Sequence, residues 1–156
     1  MMTTVNLPPI LGPMMSIINR IAEWAYTSGQ SAPCDERRRF ACDDPYYAYH
    51  YARDIDKCPR EDTRQAASRE ARHAYLYAFD LDQQPHDVTR AGACRDPYYA
   101  YHYALSVDQT DRDDTREAAS KDPEYEGLYC LYVGVSVRKE DGAHRRRLGL
   151  IQASEE

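Results

Sequence analysis

The chain has 156 residues with 20 Lys and Arg against 26 Asp and Glu; its formal net charge of -6 argues against a binder of nucleic-acid phosphates, whose footprint is normally basic. Leu, Ile, Val and Phe together number only 23, whereas Tyr numbers 14 and Ala 19, so a core has to be built from phenol rings and methyl groups. No apolar run reaches the roughly 18 residues of a membrane-spanning helix.

Residues 1–13 are Pro-rich and read as an extended arm, and 14–26 read as a helix carrying Met15, Ile18, Ile21 and Ala22 on one side. The apolar start lacks a positively charged n-region, so it reads poorly as a signal peptide. The five Cys show no CxxC spacing and fit reduced thiols, so a cytoplasmic location is expected.

The rest of the chain repeats itself. CDDPYYAYHYA from Cys42 returns as CRDPYYAYHYA from Cys94, and TRQAAS at Thr63, TRAGAC at Thr89 and TREAAS at Thr115 succeed one another at 26 residues. The same frame carries Pro45, Pro97 and Pro123 (with Ala71 as the exception), then Tyr51, Tyr77, Tyr103 and Tyr129, then Ile55, Leu81, Val107 and Val133.

Each unit reads as two short helices. Asp-Pro at 44–45, 96–97 and 122–123 is a helix start, because Asp accepts from an orphan amide and Pro suits the first helical position. On that helix Ala48, Tyr51, Ala52 and Ile55 share one sector, and the helix is predicted to run to about Asp56. The other helix holds Thr-Arg-x-Ala-Ala, with Glu61, Asp62 and Asp87 in first turns, as the macrodipole favours. Helices are therefore predicted over 37–132 with turns near 43, 57, 69, 83, 95 and 109, and Ala52, Ala78 and Ala104 are expected where neighbouring helices touch. Helices this short are marginal alone, so stacking must supply their burial: the expected fold is mainly α, an α-solenoid of 26-residue helical hairpins. Beyond it, Val133, Val135 and Val137 alternate with small residues, Asp141-Gly142 follows, and Leu148 and Leu150 alternate again, which signals a β-hairpin. The expected organisation is an arm, a capping helix and a partial repeat over 1–36, the repeat array over 37–132, and a hairpin or tail over 133–156.

The pattern Arg-x-Ala-Ala-x-x-Asp-Pro … Tyr-Ala-x-x-Val-Asp, over roughly 30–133, resembles the leucine-rich-repeat-variant and HEAT-like class of helical repeats. It is also similar to Tyr-rich DPxYAYxYA repeats of bacterial and bacteriophage proteins. The resemblance implies a superhelical scaffold without intrinsic catalysis. The chain departs from that class in its 26-residue unit, longer than the variant repeat, and in having Tyr where the class has Leu in the core.

Candidate chemistry is sparse. Arg38, Arg64, Arg90 and Arg116 recur once per unit and read as a structural ladder, each tied to the acid six residues on, Asp44, Glu70, Asp96 or Asp122, rather than as a phosphate row. Cys42 and Cys94 share a slot with Ser68 and Ser120, and Cys130 shares one with Ala52, Ala78 and Ala104; all three read as small packing residues. Cys34 and Cys58, in successive turns, are the one pair near enough to consider as a bridge. The run DQTDRDD at 108–114 lacks the Gly and terminal Glu of a calcium loop and reads as a solvated turn, and Arg145–Arg147 reads as a solvated arm. No Gly-rich phosphate loop, HExxH or GxSxG motif is present, so no enzyme activity, cofactor or metal is expected.

The sector away from the core is more informative. From Tyr46, His50 and Arg53 it continues through Leu76 and Phe79, then Tyr98, His102 and Leu105, then Leu128 and Leu131, the mix of aromatic, apolar and His or Arg side chains that protein interfaces use. The function expected is a non-catalytic scaffold for protein–protein interaction, with no nucleic-acid or membrane partner. Two further readings stand beside it. One is a subunit that stacks head to tail into a filament through Leu7, Ile10, Leu11, Val135, Val137, Leu148 and Leu150; the other is a phage or mobile-element inhibitor of a host protein.

Overall fold

Asp44 and Asp96 start their helices as their positions imply: each carboxylate accepts from the amides two and three residues on, at 2.9 and 3.4 Å. The computed structural model in which these bonds are seen describes residues 17–28 and 33–134. It is mainly helical, with α1 Ile17–Ser28, α2 Asp35–Ala41, α3 Pro45–Tyr51, α4 Glu61–Ala67, α5 Ala71–Tyr77, α6 Asp87–Ala93, α7 Pro97–Tyr103, α8 Asp113–Ala119 and α9 Pro123–Tyr132. Among the described residues there is no strand, and no described helix is long and apolar enough to cross a membrane. The arm at 1–13 and, apart from Val133 and Gly134, the hairpin or tail expected over 133–156 lie outside the described residues; Val133, expected to open the strand alternation, is instead the buried C-cap of α9, its amide donating to the Tyr129 carbonyl at 2.9 Å.

The helices sort into two layers. Second helices α3, α5, α7 and α9 pack in succession, and each first helix packs on the second helix before it: α4 on α3, α6 on α5, α8 on α7. α1 belongs to the second-helix layer, since it packs on α2 and α3 as α3 packs on α4 and α5. Ala48, Ala52, Ala74, Ala78, Ala100 and Ala104 are fully buried at these contacts. The approach is tight at Gly92, where a Cβ would lie 2.6 Å from both the Ala74 Cβ and the Ser68 carbonyl oxygen. Only a glycine fits between α5 and α6 there.

Plain helix to Asp56 was expected; the last turn is instead π-helical, over Ala52–Asp56, Ala78–Asp82 and Ala104–Asp108. In the second of these the Gln83 amide donates to the Ala78 carbonyl, five residues back, at 2.8 Å. Each π turn closes on a left-handed residue, Lys57, Gln83 or Gln109, with φ of 54, 51 and 53°. These ends deliver Asp56, Asp82 and Asp108 to the arginine ladder. Arg90 is 5% exposed and its Nε and Nη2 meet Asp108 at 2.8–3.1 Å; Arg64 meets Asp82 at 2.7–3.1 Å. Arg38 shares its charge among Asp35, Asp56 and Asp62. The ladder is structural, but its acids lie eighteen residues on, not six. Asp44, Asp96 and Asp122 are occupied as helix caps, and Glu70 pairs with His73 at 2.7 Å. Asp108 is likewise no part of a solvated turn. Arg116 also departs from the ladder: it is half exposed and turns to Asp111 and Asp113.

The buried tyrosines explain why the core is not leucine. Tyr77 is fully buried, yet its hydroxyl accepts from the Arg60 amide at 2.8 Å, donates to the Arg60 carbonyl at 3.0 Å and lies 2.8 Å from Thr63 Oγ1. Tyr103 and Tyr129 repeat this with His86 and Thr89, and with Arg112 and Thr115. The ring fills the interior while its hydroxyl satisfies the backbone where the first helix begins. This is why Arg60 and Arg112 can occupy N-cap positions without a capping side chain.

Candidate functional site

α3 and α7 share the sequence PYYAYHY, so each turns a Tyr-rich face outward at the same rotation. The rings gather into two networks offset by 52 residues. In the first, Tyr46 stands 4.2 Å from His50, 5.0 Å from Tyr47 and 5.6 Å from His73, ring centre to ring centre. In the second, Tyr98 stands 4.3 Å from His102, 4.8 Å from Tyr99 and 5.6 Å from Tyr125. Tyr125 therefore takes the place of His73, edge-on to the tyrosine in both networks.

A fifth ring completes each network from the preceding helix of the same layer. Tyr75 approaches Tyr99 at 6.1 Å and His102 at 6.2 Å; Tyr26 of α1 approaches Tyr47 at 6.0 Å and His50 at 5.9 Å. Their hydroxyls also correspond, Tyr75 lying 3.2 Å from Ser106 Oγ and Tyr26 donating to Asp54 at 2.8 Å. Tyr49 donates to Asp80 of the next second helix and carries the Arg53 guanidinium 5.1 Å above its ring. These ties hold the rings in place from unit to unit.

The networks reach solvent at Tyr46, Phe79 and Tyr98, which are 46, 50 and 41% exposed. Leu105 and Leu131 are exposed beside them on later turns, and His102 is half-buried against Tyr98. Leu76 and Leu128 leave this row: Leu76 packs against the buried cluster of Tyr49, Ala52, Ala67 and Tyr77, and Leu128 against that of Tyr101, Ala104 and Tyr129. A helical sector is too coarse to separate them, because the neighbouring unit covers one edge of the stripe. Leu7, Ile10, Leu11, Val135, Val137, Leu148 and Leu150 lie outside the described residues. Sequence reasoning missed Tyr26, His73, Tyr75 and Tyr125; the last was accessible from the frame, since it falls 52 residues after His73.

The electrostatics favour packing over chemistry. Burial, then Arg53, lowers the pKa of His50 although its Nδ1 is 3.6 Å from Asp54; burial alone lowers that of His102. In both rings burial favours the neutral form. Burial pushes the Cys42 thiol up to about 12, with Asp62 adding to it, and the Cys94 thiol to about 11, with Asp114 adding, so neither is an activated nucleophile. All five cysteines are free, including Cys34 and Cys58. Cys130 is exposed rather than packed, as is Ser120, because no first helix follows α9 among the described residues. Among those residues no group of three or more His, Cys, Asp and Glu is placed to hold a metal ion.

Comparison with protein-family models, with curated proteins and with solved structures gives no match to this chain.

Proposed function

We propose that the chain is an α-solenoid of 26-residue helical hairpins that binds another protein through its second-helix layer, without catalysis of its own. The observation that carries this reading is the exposed row of Tyr46, Phe79 and Tyr98, backed by ring networks that fix the exposed rings from behind. Phe79 stacks on Tyr75 at 5.8 Å, so its solvent face is presented rather than wasted. Large, rigid aromatic side chains lose little entropy on binding and dominate interface energetics. The likeness to leucine-rich-repeat-variant and HEAT-like repeats agrees with a scaffold role.

The rival reading, end-to-end stacking, draws less support from the described end of the array. The α8–α9 face carries Asp113, Arg116, Glu117 and Glu126, the polar finish that soluble repeat arrays use to stop propagation.

The test is a Phe79→Glu/Tyr98→Glu variant compared with the parent in cells of the source organism. The reading expects an unchanged melting temperature and the loss of a larger complex on size-exclusion chromatography. A parent that elutes alone, or a variant that keeps the complex, contradicts it.

A further inference from the structure

Two exposed rows cross the second-helix layer in the 26-residue frame. One lies near the helix starts and reads Tyr46, Arg72, Tyr98, Glu124; the other lies seven residues on and reads Arg53, Phe79, Leu105, Leu131. Helices of this layer pack in succession, α3 on α5, α5 on α7 and α7 on α9, so neighbours in a row stand one helix spacing apart, about 8–10 Å.

The two rows share a centre on the α7 unit. Arg72 lies one unit before Tyr98 and Glu124 one unit after it, so opposite charges flank the ring at equal distances. Phe79 and Leu131 flank Leu105 in the same way, which makes three successive units apolar. The first unit breaks that row with Arg53, whose charge is met by Asp54 at 2.6 Å. Arg72 and Glu124 are both exposed, and among the described residues neither side chain has an ion-pair partner.

We propose that a second copy of this chain covers the rows, related by a two-fold axis that lies over α7 and parallel to it. The proposal rests on the reading of the row as an interface and names the protein bound there. Such an axis reverses the order of the units and keeps the helix direction, so each row faces itself. Arg72 then meets Glu124 of the partner subunit, Phe79 meets Leu131 of the partner subunit, and Tyr98 and Leu105 each meet their own counterpart. The charge pair and the apolar pair each occur twice, as an isologous contact requires. Moving the axis removes the match. Over α5, Arg72 would face its own copy, and over α9, Glu124 would; between helices each charge faces a tyrosine or overhangs. Arg53 belongs to the unit that lies outside the matched three, which accounts for a charge at a position that is apolar in the others.

The test is sedimentation equilibrium of the purified full chain across concentration, where the parent should pass from monomer to dimer and stop there. Arg72→Glu or Glu124→Arg alone sets two like-charge pairs across the axis. Each should raise the dissociation constant about five- to twenty-five-fold, since one exposed ion pair contributes up to about fivefold and the axis makes two. An equimolar mixture of the two single variants restores both attractive pairs in the mixed dimer and should regain the parent affinity, as should the double variant alone. Both residues are exposed, and matching circular dichroism verifies each fold. A monomeric parent, growth beyond the dimer, or a mixture no tighter than its components overturns the proposal. The reading of the row as an interface outlives that result if Phe79→Glu/Tyr98→Glu still removes a larger complex from cells of the source organism, and falls with it if the complex stays.

Discussion

Arg90 and Asp108, eighteen residues apart, meet in a two-pronged fork at 2.8–3.1 Å in which the aspartate side chain is 1% exposed. Asp87 takes the remaining guanidinium nitrogen at 2.7 Å, and the Tyr103 ring lies 5.8 Å below. The fork joins the first helix of a unit to the end of its own second helix, so it holds the hairpin closed. Removing one partner strands a buried charge: Asp108→Ala is expected to cost about 3–5 kcal/mol. Arg116→Ala, on the exposed final rung, should cost about 0–1 kcal/mol. Urea denaturation of the two variants checks the contrast, and equal losses would refute it.

The tyrosine hydroxyls should matter as much as their rings. Tyr77→Phe leaves the Arg60 amide without its partner and the Thr63 hydroxyl with only the Arg60 carbonyl at 3.2 Å, and should lose about 1–3 kcal/mol. In the first unit Arg37 stands at the Thr63 position, and among the described residues the Tyr51 hydroxyl meets the Cys34 amide and carbonyl and no side chain. Tyr51→Phe should therefore lose less. Thermal melts of both variants measure the difference, and the reverse order would count against this account of the core.

The periodic features were legible before the structure: Asp-Pro starts, buried alanine slots and turn positions follow from local rules read at one fixed spacing. What escaped was the pairing between frame positions. Asp96 and Asp108 are both plausible partners for Arg90 in one dimension, and the π turn that selects Asp108 has no compositional mark. Thr89 and Tyr103 were each seen to repeat, yet their contact across fourteen residues depends on how two helices fold together. The role of α1 was hidden more deeply. It carries little of the repeat's pattern beyond Ala22, which is buried at the frame position of Ala48; it joins the array through Ala25, buried with Ala41, Tyr51 and Ile55, and through Tyr26, which reproduces the contacts of Tyr75.

Tight helix approach gives a third expectation. Gly92→Ala drives a Cβ into a backbone carbonyl that cannot turn aside, and Ala78→Leu overfills a fully buried slot; each should lose about 1–3 kcal/mol. Glu124→Ala, on the exposed side of α9, should stay within about 0.5 kcal/mol of the parent. Melting temperatures of all three unchanged from the parent would show the frame to be misplaced.

A core of phenols should also fail at high pH. Burial pushes the Tyr77 phenol up to about 12, against hydrogen bonds from Thr63 and the Arg60 backbone that lower it, and burial raises Tyr51, Tyr103 and Tyr129 as well. Below the ordinary phenol value of about 10 both folded and unfolded chains are neutral, and the stabilisation is complete. Above it the unfolded chain ionises first, so stability falls as pH rises from about 10 towards 12, by on the order of 2–3 kcal/mol for Tyr77 alone. Tyrosinate absorbance and helical circular dichroism followed together should change in one step. Phenols that ionise well before helix is lost would contradict it.

The central claim, that the ring-backed row on the second-helix layer is where a partner protein binds, is tested most directly by site-specific photo-cross-linking in cells of the source organism. A photoreactive phenylalanine at Phe79 is compared with one at Gln65, which is exposed on the first-helix layer. The account predicts a discrete product with another protein from position 79 and none from position 65. The same product from both positions, or a product from position 65 alone, would contradict it.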